Sequence, residues 1–394
     1  MNTSYTGHLE NNLWDFAYSM DDTYESEEHY EIIDFLNASS NFRSFGDGLL
    51  NVIQRKYPEE AIDISNVIPF INQKCDDNGV PIANIASQNT LTNWFKKDMR
   101  PKKADTSRRS MFALAFALGL TVEETKDLFH KVYLDRAFNY RNETEIIYYY
   151  CLQHKRSWRD AGRLIESIGL LSSAEPSETR YTAIIKGEIE QISDDDELLA
   201  YISEHSSDFE KDSKTAKEEF NRLFEEAKVT AQNEIEKGKT EYQEVIENKW
   251  HSEDSFSANL LYEIILGFNV SGKKGTKTIF GKSHLPKEIK NRFPEAVSFS
   301  RKDIGSEELR KVIILLFSYV TWYQMQENDV DYGYDDYKEQ LDALLSDCNF
   351  SNMYYGNPYD WLFLYCTLFE SSEETSAKPL VTFREVIAEA LGVE

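Results

Sequence analysis

Proline and glycine are scarce in this chain of 394 residues, nine and seventeen in all. Long stretches therefore carry helix formers without a breaker, which favours a mostly helical architecture. The four cysteines, Cys75, Cys151, Cys348 and Cys366, lie far apart and form no CxxC pair. That spacing argues against structural zinc and against a disulfide framework, and reads as free thiols in a reducing compartment. Long hydrophobic runs are missing as well. The longest, "MFALAFALGL" and "VIILLFSYV", reach about half of the ~20 residues that a membrane span needs. The first residues show neither a basic n-region nor an apolar h-region, so no secretion signal is expected and the chain reads as a cytoplasmic protein without a membrane partner.

Basic charge is absent from the first 42 residues, which hold nine acids between Glu10 and Asp34. The whole chain carries a net charge of -26, and such a surface as a whole repels phosphates. The charge is segregated, however. Residues 96–109 hold seven basic side chains, Lys96, Lys97, Arg100, Lys102, Lys103, Arg108 and Arg109, against Asp98 and Asp105, a net of +5. Residues 272–293 hold seven more, among them Lys273, Lys274, Lys277 and Lys282, against Glu288, a net of +6.

Hydrophobic residues make up 41% and aromatics 13% of the chain, enough for buried cores in two or three domains. The pattern divides into an acidic arm over 1–42, a helical domain over 43–171, a linker region over 172–205 and a C-terminal helical domain over 206–394. The stretch "SSAEPSETR" supports the break after 171, because proline and polar residues cluster there. Within 206–250, Phe220, Leu223, Phe224, Ala227, Ala231, Ile235, Tyr242, Val245 and Ile246 recur at steps that place most of them on one side of a long helix. That seam reads as docked on the protein's own core.

The segment "SQNTLTNWFKKDMRPKKADTSRRSMFALAFALGLTVEET", residues 87–125, carries the clearest functional signal. Ser87 is a good N-cap, and Leu91, Trp94 and Phe95 share the inward face. Gln88, Asn89, Thr92 and Lys96 are left facing outward. Gln and Asn can bond adenine edges bidentately, whereas Lys and Arg neutralise phosphates. Thr121 and Glu124 match a capping box, and Gly119 suits the C′ position of the helix before them.

In "SQNTLTNW", the basic turn "KKDMRPKK" and "MFALAFALGLTVEE", the chain resembles the lambda-repressor-like (XRE-type) helix-turn-helix family over about residues 45–133. The resemblance implies a five-helix domain in which "SQNTLTNW" begins the recognition helix. It implies a regulator of a bacterium or a mobile element that binds double-stranded DNA. Contacts would come from Gln88, Asn89, Thr92, Lys96, Lys97, Arg100, Lys102, Lys103, Arg108 and Arg109. The family sets its tight turn directly before that helix, and this chain has "PIANIA" between Gly79-Val80 and Ser87.

Catalytic patterns are not evident. Gly267 to Gly272-Lys273 has P-loop spacing, but Lys274 stands where the magnesium-holding hydroxyl belongs. The histidines form no HExxH pair, and no nucleophile setting stands out. The sequence therefore reads as an all-α, non-enzymatic DNA-binding regulator without metal or cofactor, whose C-terminal domain engages a protein partner. The second reading is an acidic adaptor or inhibitor that binds a protein and retains a vestigial helix-turn-helix.

Overall fold

Among the described residues of the computed structural model, seventeen α-helices, one 3-10 turn and one π-helical turn form the regular structure, with no strand. Those residues are 5–19, 28–38, 40–97, 99–101, 105–168, 182–206, 209, 214–237, 258–267, 306–328, 333–368 and 379–391. The all-α expectation is met. No helix among the described residues is long and apolar enough to cross a membrane.

The chain forms two compact units. One comprises residues 43–214 with 346–351, and the other comprises 1–42, 215–345 and 352–394. In the first unit the helices are α3 (Phe45–Lys56), α4 (Val67–Asp77), α5 (Gln88–Lys96), α6 (Asp105–Ala117) and α7 (Val122–Asp127). The π-helical turn Leu128–Tyr133 follows, then α8 (Glu143–Gln153), α9 (Trp158–Ile168), α10 (Thr182–Ile189) and α11 (Asp195–Glu204). Their shared core includes Phe45, Leu91, Trp94, Phe112, Phe129 and Tyr148.

Local chemistry sets the helix ends. α4 stops at Gly79, whose φ of 64° is open to glycine at no steric cost. The Gly79 and Val80 amides then donate to the Asp76 and Cys75 carbonyls. α6 ends the same way at Gly119, with Leu120 N donating to Ala115 O at 3.0 Å, the Schellman pattern. Both bonds of the capping box at α7 are present, Glu124 N to Thr121 Oγ1 at 3.2 Å and Thr121 N to Glu124 Oε2 at 2.7 Å.

The linker reading of 172–205 needs correction. Residues 182–189 and 195–204 are helical, and Ile185, Ile189, Ile192, Leu198 and Ile202 are buried in the core of the first unit. The Pro-containing stretch 172–180 lies outside the described residues. The cluster of acids at Asp194–Glu197 is a capped helix start, with Glu197 N donating to Asp194 Oδ1 at 2.8 Å.

In the second unit, the residues read as an acidic arm form α1 (Tyr5–Ser19) and α2 (Glu28–Asn37). Leu9, Leu13, Ile32 and Leu36 are fully buried there, so these helices are part of a core and not a free arm. Asp15, Glu31 and Asp34 are exposed on these helices while leucine and isoleucine at helical spacing turn inward. The Trp361 indole donates to Leu9 O at 3.3 Å, and its ring lies 4.8 Å from that of Phe35.

The remaining helices of this unit are α12 (Lys214–Glu236), α13 (Ala258–Leu266), α14 (Ser306–Asn328), α15 (Tyr334–Asp347), α16 (Pro358–Leu368) and α17 (Pro379–Leu391). The helix α15 runs past the boundary at 345. Within the seam of α12, Leu223, Ala227, Ala231 and Ile235 are buried, as a face docked on its own core requires. Tyr242, Val245 and Ile246 lie outside the described residues. Glu234, on α12, accepts two bonds from Arg384 and one from the Tyr319 hydroxyl. Arg310 grips Asp360 through two bonds of 2.8 Å. The buried carboxylates of Glu234 and Asp360 are thus paired, as burial in a poor dielectric demands.

Candidate nucleic-acid interface

The nine residues of α5 span about 13 Å at the usual helical rise, and a helix with its side chains, ~10–12 Å across, fits the ~12 Å width of a DNA major groove. Ser87 starts the helix by accepting from Thr90 N at 3.2 Å. One side is anchored by Leu91, Trp94 and Phe95, all buried, with the Trp94 ring edge-on to Phe45 at 5.1 Å. α3 approaches so closely at Gly46 that any Cβ there would strike the Trp94 carbonyl oxygen. The helix is thus braced by its own backbone contacts as well as by aromatic burial.

The outward side presents Gln88, Asn89 and Thr90, all exposed. Thr92 is half-buried and its hydroxyl donates to Gln88 O at 2.9 Å, which commits its proton within the helix. Lys96 and Lys97 are exposed at the C-terminal end, where cations also suit the helix dipole. The interval from α4 to α5 covers residues 78–87 and contains the 3-10 turn Ile82–Asn84. Val80 and Ile85 are buried on either side of that turn, so the extra residues are packed into the domain.

Beyond α5 the basic island separates into different environments. Arg100 is half-buried. Lys102 and Lys103 lie outside the described residues, as do Lys273, Lys274, Lys277 and Lys282 of the second island.

Arg108 requires a correction. It is 6% exposed, and its guanidinium donates to Glu145 twice and to Asp135 once, each at 2.7 Å. The Arg136 and Ala137 carbonyls accept its remaining protons at 2.9 Å. Burial works against its charge, but Glu145 and then Asp135 outweigh that effect and hold the pKa above the ordinary arginine value. A guanidinium with this many short internal partners has nothing left to give a phosphate. Arg109 is exposed and lines a cleft together with Tyr148 and Trp158.

Counting charges along the sequence could not separate these two arginines, because the partners of Arg108 stand 27 and 37 residues further on. Met99, 54% exposed just after α5, is an apolar addition to this surface that charge and amide patterns do not mark. The only signal for it was its place in a polar turn. No protein-family model, no curated protein and no solved structure matches this chain, so its own residues carry the functional argument.

Proposed function

We propose that the chain is a DNA-binding regulatory protein that presents α5 to the major groove of double-stranded DNA. Gln88 and Asn89 would read base edges, and Lys96 and Lys97 would neutralise backbone phosphates. The observation that carries the reading is the two-sided character of α5, exposed amide side chains on a short helix whose other side is locked by Leu91, Trp94, Phe95 and Gly46. A helix already held rigid is what base reading needs, since ordering its backbone on binding would cost affinity. The succession α3 to α7 fits the five-helix order that the resemblance implies, and with it a regulator of a bacterium or mobile element working in the cytoplasm. The half-buried, internally bonded Thr92 and the buried Arg108 are not part of the proposed contact set.

The test is selection of duplexes from a random pool by the purified chain, followed by binding of the selected sequence to Gln88→Ala and Asn89→Ala variants. Each loss of a bidentate base contact should cost roughly 1–3 kcal/mol of discrimination. A pool that shows no enrichment would reject base reading.

A second reading is an acidic adaptor or inhibitor that binds a basic protein, which the net charge of -26 favours. Capture of a basic protein partner by a variant whose α5 surface is neutralised would favour it.

A further inference from the structure

Between α6, α8 and α9 lies a cleft of about 400 Å³, lined by Asp105, Arg109, Tyr148, Trp158, Gly162 and Glu166 among others. Its volume falls at the lower end of the ~300–1,000 Å³ of small-molecule sites, which limits the occupant to one or two rings. One wall is aromatic. Trp158 is half-buried and stacks on Tyr148 with ring centres 5.3 Å apart and planes 14° from parallel, while Phe116 meets its edge at 5.4 Å.

Gly162 is the second observation. It sits inside α9, where glycine costs about 1 kcal/mol relative to alanine. A Cβ built there meets nothing within 4 Å, and its φ is not in the left-handed region. Neither packing nor backbone shape therefore asks for glycine at this position, whereas an open cleft does. Gly187 has the same freedom but lines no part of this cleft, so Gly162 carries weight only together with its neighbours.

The third observation is charge of both signs around the aromatic wall. Arg109 is exposed, as are Asp105 and Glu166. Glu145, also in the lining, is already held by Arg108. A phosphate-rich ligand would meet one cation and two carboxylates, an unfavourable balance. A purely apolar ring would leave all three charged groups unused.

We propose that this cleft binds a small zwitterion with a flat apolar group, in chemical class an aromatic α-amino acid. The ring lies against Trp158, the carboxylate takes the Arg109 guanidinium, and the ammonium faces Asp105 and Glu166. Arg109 can hold a carboxylate through two parallel N–H bonds, the geometry in which arginine surpasses lysine.

Isothermal titration calorimetry of the full chain with L-tryptophan and L-phenylalanine tests the assignment, with tryptamine and indole-3-propionate as probes that lack the carboxylate or the ammonium. At least one amino acid should bind at about millimolar concentration or below, and its truncated relatives about tenfold more weakly. Arg109→Gln should weaken the amino acid about tenfold while leaving tryptamine unchanged. Gly162→Leu should fill the cleft and remove binding, with a melting temperature equal to or above that of the natural chain because leucine is the better helix former. No heat from either amino acid at several millimolar, or unchanged binding in a folded Gly162→Leu protein, would overturn the site. Equal binding of a truncated probe would overturn the zwitterion.

Discussion

Arg108 and Glu145 face each other as a fork, Nε to Oε1 and Nη2 to Oε2, both at 2.7 Å. Glu145 Oε2 also accepts from Asn139 N at 2.7 Å, and Asn139 Oδ1 accepts from Asn349 Nδ2 at 2.7 Å. The pair therefore anchors a polar chain that fastens residues 346–351 into the first unit. Breaking a buried pair of this kind costs ~3–5 kcal/mol, because the abandoned carboxylates stay buried. Arg108→Met should lower the urea midpoint accordingly, and Arg108→Lys should rescue little, since one ammonium cannot span the fork. An unchanged midpoint in Arg108→Met would contradict the structural role given to this residue.

Two glycines should respond in opposite directions to the same substitution. Gly46→Ala forces a methyl group against the Trp94 carbonyl oxygen and within 2.9 Å of Phe95 Cα, and such overpacking costs ~1–3 kcal/mol. Gly162→Ala should stabilise by up to about 1 kcal/mol, from helix propensity alone. Thermal melts of the two variants give the comparison. Gly46→Ala should also disturb α5, which the methyl group displaces directly.

Glu124 ties the capping box to α3 by accepting from Lys56 Nζ at 2.8 Å. Partial burial raises its pKa, but the bonds from Lys56 and Thr121 outweigh that and hold it below the ordinary value of 4.5. A carboxyl with a lowered folded pKa binds its proton more readily when unfolded. Its stabilisation is complete above the ordinary value and is lost as pH falls through the lowered one. Between those two values the stability of the natural chain should fall more steeply with acid than that of Glu124→Gln, followed by urea unfolding. Parallel curves would remove Glu124 from the pH response.

The N-terminal helices should be indispensable to the second unit. Deleting residues 1–42 removes two partners of Trp361, the Leu9 carbonyl and the Phe35 ring. The truncated chain should melt at a lower temperature and expose apolar surface to a hydrophobic dye. A chain that melts unchanged would show these helices to be dispensable.

Elements governed by neighbours in sequence were legible before the structure. Ser87, Thr121 with Glu124, and Gly119 each announce a helix end through bonds spanning a few residues. The inward face of α5 followed from spacing alone. Arg108 was misassigned because its environment depends on Asp135 and Glu145, which only the tertiary fold brings together. The acidic residues before 43 drew attention to charge, while Leu9 with Leu13 and Ile32 with Leu36, both at i, i+4, held the information that these segments pack. Likewise Ile185, Ile189 and Ile192 gave helical spacing inside a region read as linker.

Binding of α5 to duplex DNA is tested by the affinity for one labelled duplex across a salt series. Affinity should fall steeply as salt rises, with a log–log slope of about -0.9 for each phosphate neutralised. Replacing both Lys96 and Lys97 by glutamine should flatten that slope by up to about 1.8 and weaken every duplex alike. Binding that is absent at low salt, or a slope that is the same with and without these lysines, would contradict the claim.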